Sequence, residues 1–267
     1  PANVAEGDVF MLSDVPTQGR VRGLRNAVDR VKATHPGRPA RAMSLEDKEL
    51  FDPYVFVRGK PENRGDNVPR RFLEVLTAGE RQPFANGSGR IDLANAIASV
   101  DNPLTARVMV NRLWLYHFGR PLAEATSDFG VRSDPPSHPA LLDYLARRFM
   151  DDGWSIKKLQ REMVLSAAYQ QASAAREDAL AKDPENRLLW RQNRQRLDFE
   201  AMRDAILAAA GTLDLGMVGG ESVNIERQPF SGRRSLYARI DRQNLPAIFR
   251  TFDFASPDTH SPKRFRT

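Results

Sequence analysis

The stretch Asn102-Pro-Leu-Thr-Ala-Arg-Val-Met-Val-Asn-Arg-Leu-Trp-Leu-Tyr-His-Phe-Gly-Arg120 reads as one helix with its own start and stop signals. Asn102 is placed to cap the N-terminus, Pro103 suits the first helical position, and Gly119 falls just past the end. Apolar residues occupy nearly every face, which predicts a buried helix. Arg107, Asn111, Arg112 and His117 sit among them, and buried polar groups need partners or a task. This helix is therefore expected to be either a structural hub or the wall of a site.

Working outward, short helices are expected on both sides. Upstream, Val21, Leu24, Val28 and Val31 recur at helical spacing within Gly19–Thr34, and His35-Pro-Gly-Arg-Pro39 ends the run. Ile91–Val100 reads as another short helix. Downstream, Ser137 is placed to cap a helix with Leu141, Leu142, Leu145 and Phe149 inward. Ser155 caps one with Ile156, Leu159, Met163 and Ala167 inward. Asp183-Pro184 is expected to open a helical stretch through Trp190. Asp198 caps a last helix with Phe199, Met202, Ile206 and Ala209 inward, closed by Gly211. Strands are expected at Ala40–Leu45, Tyr54–Arg58 and Arg234–Ile240, and the end strands are expected to pair. Gly59–Pro69, Gln82–Gly89 and Thr212–Ser231 read as loops, and Leu245–Phe252 as a helical turn.

The fold class is thus mainly α (α+β), a helical core with a few short strands near both ends. Residues 1–90 form a mixed N-terminal region of the same fold. Residues 91–211 are the helical core, and 212–267 a loop, strand and short helix. Pro1 at the start and the basic run at the end suggest a piece of a longer polypeptide, truncated at its C-terminus.

Composition narrows the chemistry. The 267 residues carry 40 Lys+Arg against 34 Asp+Glu, a net charge of +6, and no cysteine. Disulfides, thiolate metal sites, a Cys nucleophile and c-type haem attachment within this segment are excluded. The basic residues are interleaved with acids and lack an aromatic-rich basic block, which argues against nucleic acid. No apolar run is long enough for a membrane span. No His-x-x-x-His or His-Glu-x-x-His pair exists, so no zinc site is expected. Ser127-Asp-Phe-Gly130 lacks the other kinase elements. Gly-x-Ser-x-Gly and the phosphate-binding Gly-rich loop are absent.

The candidate polar cluster is Asn111, Arg112, His117, Asp128 and His138. His117 either satisfies carbonyls at its helix end or joins Asp128, Arg132 and His138 in a site. Arg112 either forms an internal bridge, with Asp128 as its partner, or presents a guanidinium fork to an anionic ligand. Arg196 and Glu200 attract at helical spacing, and Glu200 and Asp204 repel. The structural reading is the favoured one for each.

The order and spacing of Asn102–Trp114, His117-Phe-Gly119, Ser127–Gly130, Pro136-Ser-His-Pro139 and Leu141-Leu-Asp143 resemble domain-of-unknown-function family 1553. That family is found near the C-terminus of planctomycete cytochrome-associated multidomain proteins. Gly153-Trp-Ser155, Ser166-Ala-Ala-Tyr169, Asn186-Arg-Leu188, Arg194–Leu197 and Arg233-Arg-Ser-Leu-Tyr237 fit the same pattern. The resemblance spans about residues 40 to 267. It implies an extracytoplasmic (periplasmic, cell-surface or secreted) multidomain protein. Any c-type haem would lie in upstream modules, with none in this segment. The implied partners are the upstream domains of the same polypeptide and a polysaccharide. It brings no catalytic residues. The expected function is a non-catalytic interaction or structural domain; the alternative is an enzyme domain acting on carbohydrate, with a polar site between helix 102–118 and loop 119–138.

Overall fold

The central helix expected around Asn111 runs from Thr105 to Phe118. It starts two residues later than its sequence signals suggest. Asn102 spends its side chain on the preceding turn instead, accepting from the Leu104 N–H at 3.0 Å and donating to the Ile97 carbonyl at 3.1 Å. In this computed structural model the described residues are 10, 12–37, 44–77, 79–216, 218–241, 243–252, 254–256, 261 and 264. The protein is mainly α. Eight α-helices and one two-stranded antiparallel sheet are formed among the described residues. The chain divides into two units, residues 1–51 and 52–267.

The first unit is built on α1, Val15–Thr34, which is one turn longer at its start than the periodicity indicated. Asp14 supplies the reason: its carboxylate accepts from the Thr17 N–H at 2.7 Å, and a proline sits in the first turn. The strand expected at Ala40–Leu45 lies largely outside the described residues, and Ser44 and Leu45 carry no regular structure.

The second unit opens with a hairpin. β1 is Tyr54–Phe56, as its β-branched and aromatic residues predict, and β2 is Arg64–Asn67. They pair Tyr54 with Asn67 and Phe56 with Arg64. β2 falls where a loop was expected. Its residues are polar and charged, so only the backbone pairing with β1 makes it a strand. α2 (Arg90–Ile97) then leads to α3 (Thr105–Phe118).

α3 packs against α4 (Pro139–Asp151) and α5 (Ile156–Leu165), and α4 against α5. Their shared core holds Val110, Trp114, Phe118, Leu142, Leu145, Phe149, Leu159 and Met163. Trp114 and Phe118, one turn apart, stack at 3.9 Å, and Tyr169 meets Phe118 edge-on at 5.6 Å. The cap of α4 is His138, one residue later than Ser137, because Ser137 is bonded to the loop through its N–H to the Leu122 carbonyl (2.8 Å). Ser155 caps α5 as expected, but Ile156 is exposed and Ala167 lies beyond the helix end, leaving Leu159 and Met163 as its buried stripe.

The helical stretch expected after Asp183 is instead a turn. α6 (Glu177–Lys182) ends there, since a residue before proline is disfavoured in the helical region. α7 (Phe199–Ala209) is capped by Asp198, which accepts from the Ala201 N–H at 3.0 Å. At its other end Gly211 adopts φ 69° and the Thr212 N–H reaches back to Leu207 at 2.9 Å, closing the helix as its sequence predicts. Its stripe is less buried than expected: Phe199 is covered, Met202 half-covered, and Ile206 is 60% exposed.

The strand expected at Arg234–Ile240 is a 3-10 turn over Ser235–Tyr237. Side chains of α7 hold the start of this segment, and its end pairs only as an isolated parallel bridge between Ala238 and Val223. Arg203 donates to the Arg233 carbonyl at 3.0 Å, and Asp204 accepts from the Ser235 N–H at 2.7 Å. Hence this segment does not pair with β1. α8 (Ala247–Thr251) closes a second, smaller core of Phe199, Ile225 and Phe249, with Phe252 and Phe254 alongside.

Truncating Phe118 in the main core (Phe118→Ala) is expected to cost about 3–5 kcal/mol in denaturant unfolding. Truncation of the fully exposed Val131 is expected to stay within about 0.5 kcal/mol.

Candidate functional site

Asn111 has no solvent exposure. Both polar atoms of its side-chain amide meet one residue of the following loop: Nδ2 donates to the Ala123 carbonyl at 2.9 Å, and Oδ1 accepts from the Ala123 N–H at 2.9 Å. An Asn is the short side chain that offers a donor and an acceptor side by side, so it pairs with a backbone amide as a strand would. This satisfies the buried Asn and the buried loop together. One residue earlier, the Leu122 carbonyl accepts from Ser137, so the loop leaving α3 is tied both to that helix and to the entry of α4.

The C-terminal carbonyls of α3 are also taken by side chains. The His117 ring donates through Nδ1 to the Leu113 carbonyl at 2.7 Å, which is the helix-end role. The His117 carbonyl accepts from Gln195 at 3.3 Å and the Phe118 carbonyl from Asn193 at 2.8 Å. Asn193 is held in turn by buried Asn186, which donates to its Oδ1 at 2.9 Å and to the Arg191 carbonyl at 2.8 Å. Gly119 adopts φ 77°, and a Cβ there would come within 2.6 Å of Gln195. Arg120 joins the same seam through Glu124 at 3.3 Å and Glu185 at 3.1 Å.

Asp183 organises the far side. Its carboxylate accepts from the N–H groups of Arg187 (2.9 Å) and Leu188 (2.8 Å), and its carbonyl accepts from the Trp190 indole at 2.9 Å. Loss of hydration raises its pKa, but those two N–H groups and the charges of Arg120 and Arg187 outweigh it, so the carboxyl sits below its ordinary value.

The remaining candidates do not join this arrangement. Asp128 is exposed and accepts from the Gly130 N–H at 2.8 Å, within its own loop. The expected Arg112–Asp128 bridge is not formed. Arg112 is half-buried, and its Nε is buried without a hydrogen-bond partner. His138 sits at the N-terminus of α4 with Nδ1 3.0 Å from Ser137 Oγ. Among the described residues no hydrogen bond or ion pair joins any two of Asn111, Arg112, His117, Asp128 and His138. The Arg196–Glu200 attraction is also absent: Arg196 precedes the Asp198 cap, and Arg264 binds both Glu200 oxygens at 2.8 Å.

Asn186, Asn193, Gln192 and Gln195 are functional parts of the hub that sequence reading left without a role. The available signal was Asp183-Pro-Glu-Asn186, a turn in which Asn tolerates the left-handed conformation it adopts here (φ 54°).

The space at the seam is small. The cavity lined by Trp114, Arg120, Leu122, Ser137, Asn186 and Leu189 holds about 20 Å³, room for one water. Two open clefts of about 450 and 460 Å³ lie further along the chain, and neither is lined by any of the five candidates. Their acids are engaged. Glu226 accepts from the Ile248 N–H, Asp241 from the Gln243 N–H, Asp204 from Ser235, and Glu200 from Arg264. No group of three or more His, Asp or Glu able to hold a metal ion is present among the described residues.

Fold and hub together define a mainly helical domain whose central polar residues bind backbone. Residues 89–267 match the model of PSD1, protein of unknown function (DUF1553), and the chain belongs to that family. The match begins at Gly89, later than the residue 40 expected from the motifs. No curated protein and no solved structure gives a match.

Asn111→Ala leaves two buried backbone groups of Ala123 unpaired and is expected to cost about 2–5 kcal/mol in chemical unfolding. Arg112→Met removes no ion pair and is expected to change stability by less than about 1 kcal/mol. Because the Asp183 pKa is lower folded than unfolded, its contribution is present above the unfolded value and fades as pH falls through the folded one. The melting-temperature gap between wild type and Asp183→Asn is therefore expected to hold from about pH 5 upward and to close below about pH 4.

Proposed function

We propose that this chain is a non-catalytic interaction domain of an extracytoplasmic multidomain protein, docking on other domains of the same polypeptide. The observation that carries the reading is the commitment of the hub's polar groups. Asn111, His117, Asn186 and Asn193 are spent on main-chain carbonyls and N–H groups, and the cavity beside them admits no more than a water. A site that acts on a carbohydrate needs acids or bases free to move protons in a cleft.

Apolar surface supports the same reading. Tyr54, Val55, Phe56 and Val57 are 43%, 51%, 49% and 40% exposed, so neither face of the hairpin is covered. A lone two-stranded hairpin is marginal in water, and exposed apolar strands invite pairing. A polysaccharide is the second ligand class this reading accommodates. With no cysteine in the chain, c-type haem would belong to other modules of the polypeptide.

Titration of the chain with separately produced neighbouring domains tests the reading. Binding in the micromolar range is expected, weakened about tenfold or more by Val55→Arg. Absence of binding at high micromolar concentration counts against it. A polysaccharide-cleaving activity abolished by Arg112→Gln in a folded chain would replace it with the enzyme reading.

A further inference from the structure

α1 lies outside the family match and outside the hub. It carries five basic residues, Arg20, Arg22, Arg25, Arg30 and Lys32, against one acid, Asp29. At 100° per residue Leu24, Val28, Val31 and Val21 fall on one narrow arc, with Thr17 among them. Arg25 and Lys32 border that arc on one side and Arg20 on the other. Arg22, Asn26, Arg30 and the acid Asp29 occupy the opposite face.

None of α1 is buried within its own unit. Leu24 is 65% exposed, Val28 53% and Val31 59%. A twenty-residue helix gains most of its stability from burying such a stripe, and this one contains Gly19 and Gly23, which weaken it further. The aliphatic arc therefore calls for a covering surface. The charge on its borders selects which kind: a surface that is apolar beneath and anionic at its edge.

We propose that α1 docks in the plane of an anionic phospholipid surface. Leu24, Val28, Val31 and Val21 enter the acyl boundary, and Arg20, Arg25 and Lys32 reach the phosphates beside them. The stems of those three side chains are long enough to lie along the boundary while their charged ends stay at headgroup level. Arg22 and Arg30 on the outer face add long-range attraction, which salt screens. No covalent step is involved. The inference rests on α1 alone and is independent of the role proposed for the hub.

Co-sedimentation of the whole chain with vesicles tests it. Vesicles of roughly one-third phosphatidylglycerol in phosphatidylcholine are expected to bind, and pure phosphatidylcholine to bind at least about tenfold less. Raising NaCl from about 0.05 M to about 0.5 M is expected to weaken binding by a similar factor. The double variant Leu24→Gln/Val28→Gln is expected to lose binding about tenfold with its helix content, read by circular dichroism, retained. Val28→Leu, which keeps the arc apolar, is expected to bind at least as well as wild type.

Three outcomes overturn the proposal. One is no binding to anionic vesicles at low salt. Another is undiminished binding by Leu24→Gln/Val28→Gln, which would place the attraction elsewhere on this basic chain. The third is a dimer in light scattering that the same variant abolishes while vesicle binding stays absent, which would make a second copy the occupant.

Discussion

The rest of the helical domain hangs on the pair of hydrogen bonds between Asn111 and Ala123. Both residues are buried, so each bond replaces water that is no longer available. A loop leaving a helix ordinarily runs over the surface, because its backbone needs solvent. Here the side-chain amide stands in for solvent, and the loop can pass inside. That brings Leu122 and Ala123 into the core and lets Ser137 hold Leu122 from the other side. α3, the loop and the start of α4 are thereby fixed as one piece before their apolar faces are considered.

The same logic separates structural from catalytic polarity. A catalytic amide, imidazole or carboxylate has to leave one face free for the reacting atoms. The hub residues turn theirs toward peptide groups, which cannot move away. At His117 the Nδ1 is tied to a carbonyl four residues back, which fixes the ring at a helix end. Arg112 Nε is an exception, buried without a hydrogen-bond partner, and so are Arg191 Nε and Gln192 Oε1.

Much of this architecture was legible because it is local. Asp198, Ser155 and Gly211 cap or close their helices at the expected positions, and each acts on backbone three or four residues away. What failed was set by distant partners. Arg64–Asn67 has no strand character of its own and becomes one only opposite Tyr54–Phe56. Arg234–Ile240 alternates like a strand, but Arg203 and Asp204, thirty residues upstream, hold its start, and only one bridge to Val223 forms beyond it. Within the hub, the polar content of the central helix was visible and its partners were not. Asp128 was the nearest acid in the chain, yet the loop turns it outward, whereas Asn186 and Asn193 arrive from some seventy-five residues away.

The two cores share no residue. The larger is sealed by three helices and the Asn111 clamp. The smaller has three buried residues, a five-residue helix and turns held by arginine side chains. Opening the smaller core uncovers its phenylalanine cluster and breaks none of the bonds at Ala123. Separate cores of this kind allow one to open locally while the other keeps its packing. The aromatic cluster around Phe249, fastened by turns and a single short helix, is where the fold can rearrange around a partner while the helical core stays native.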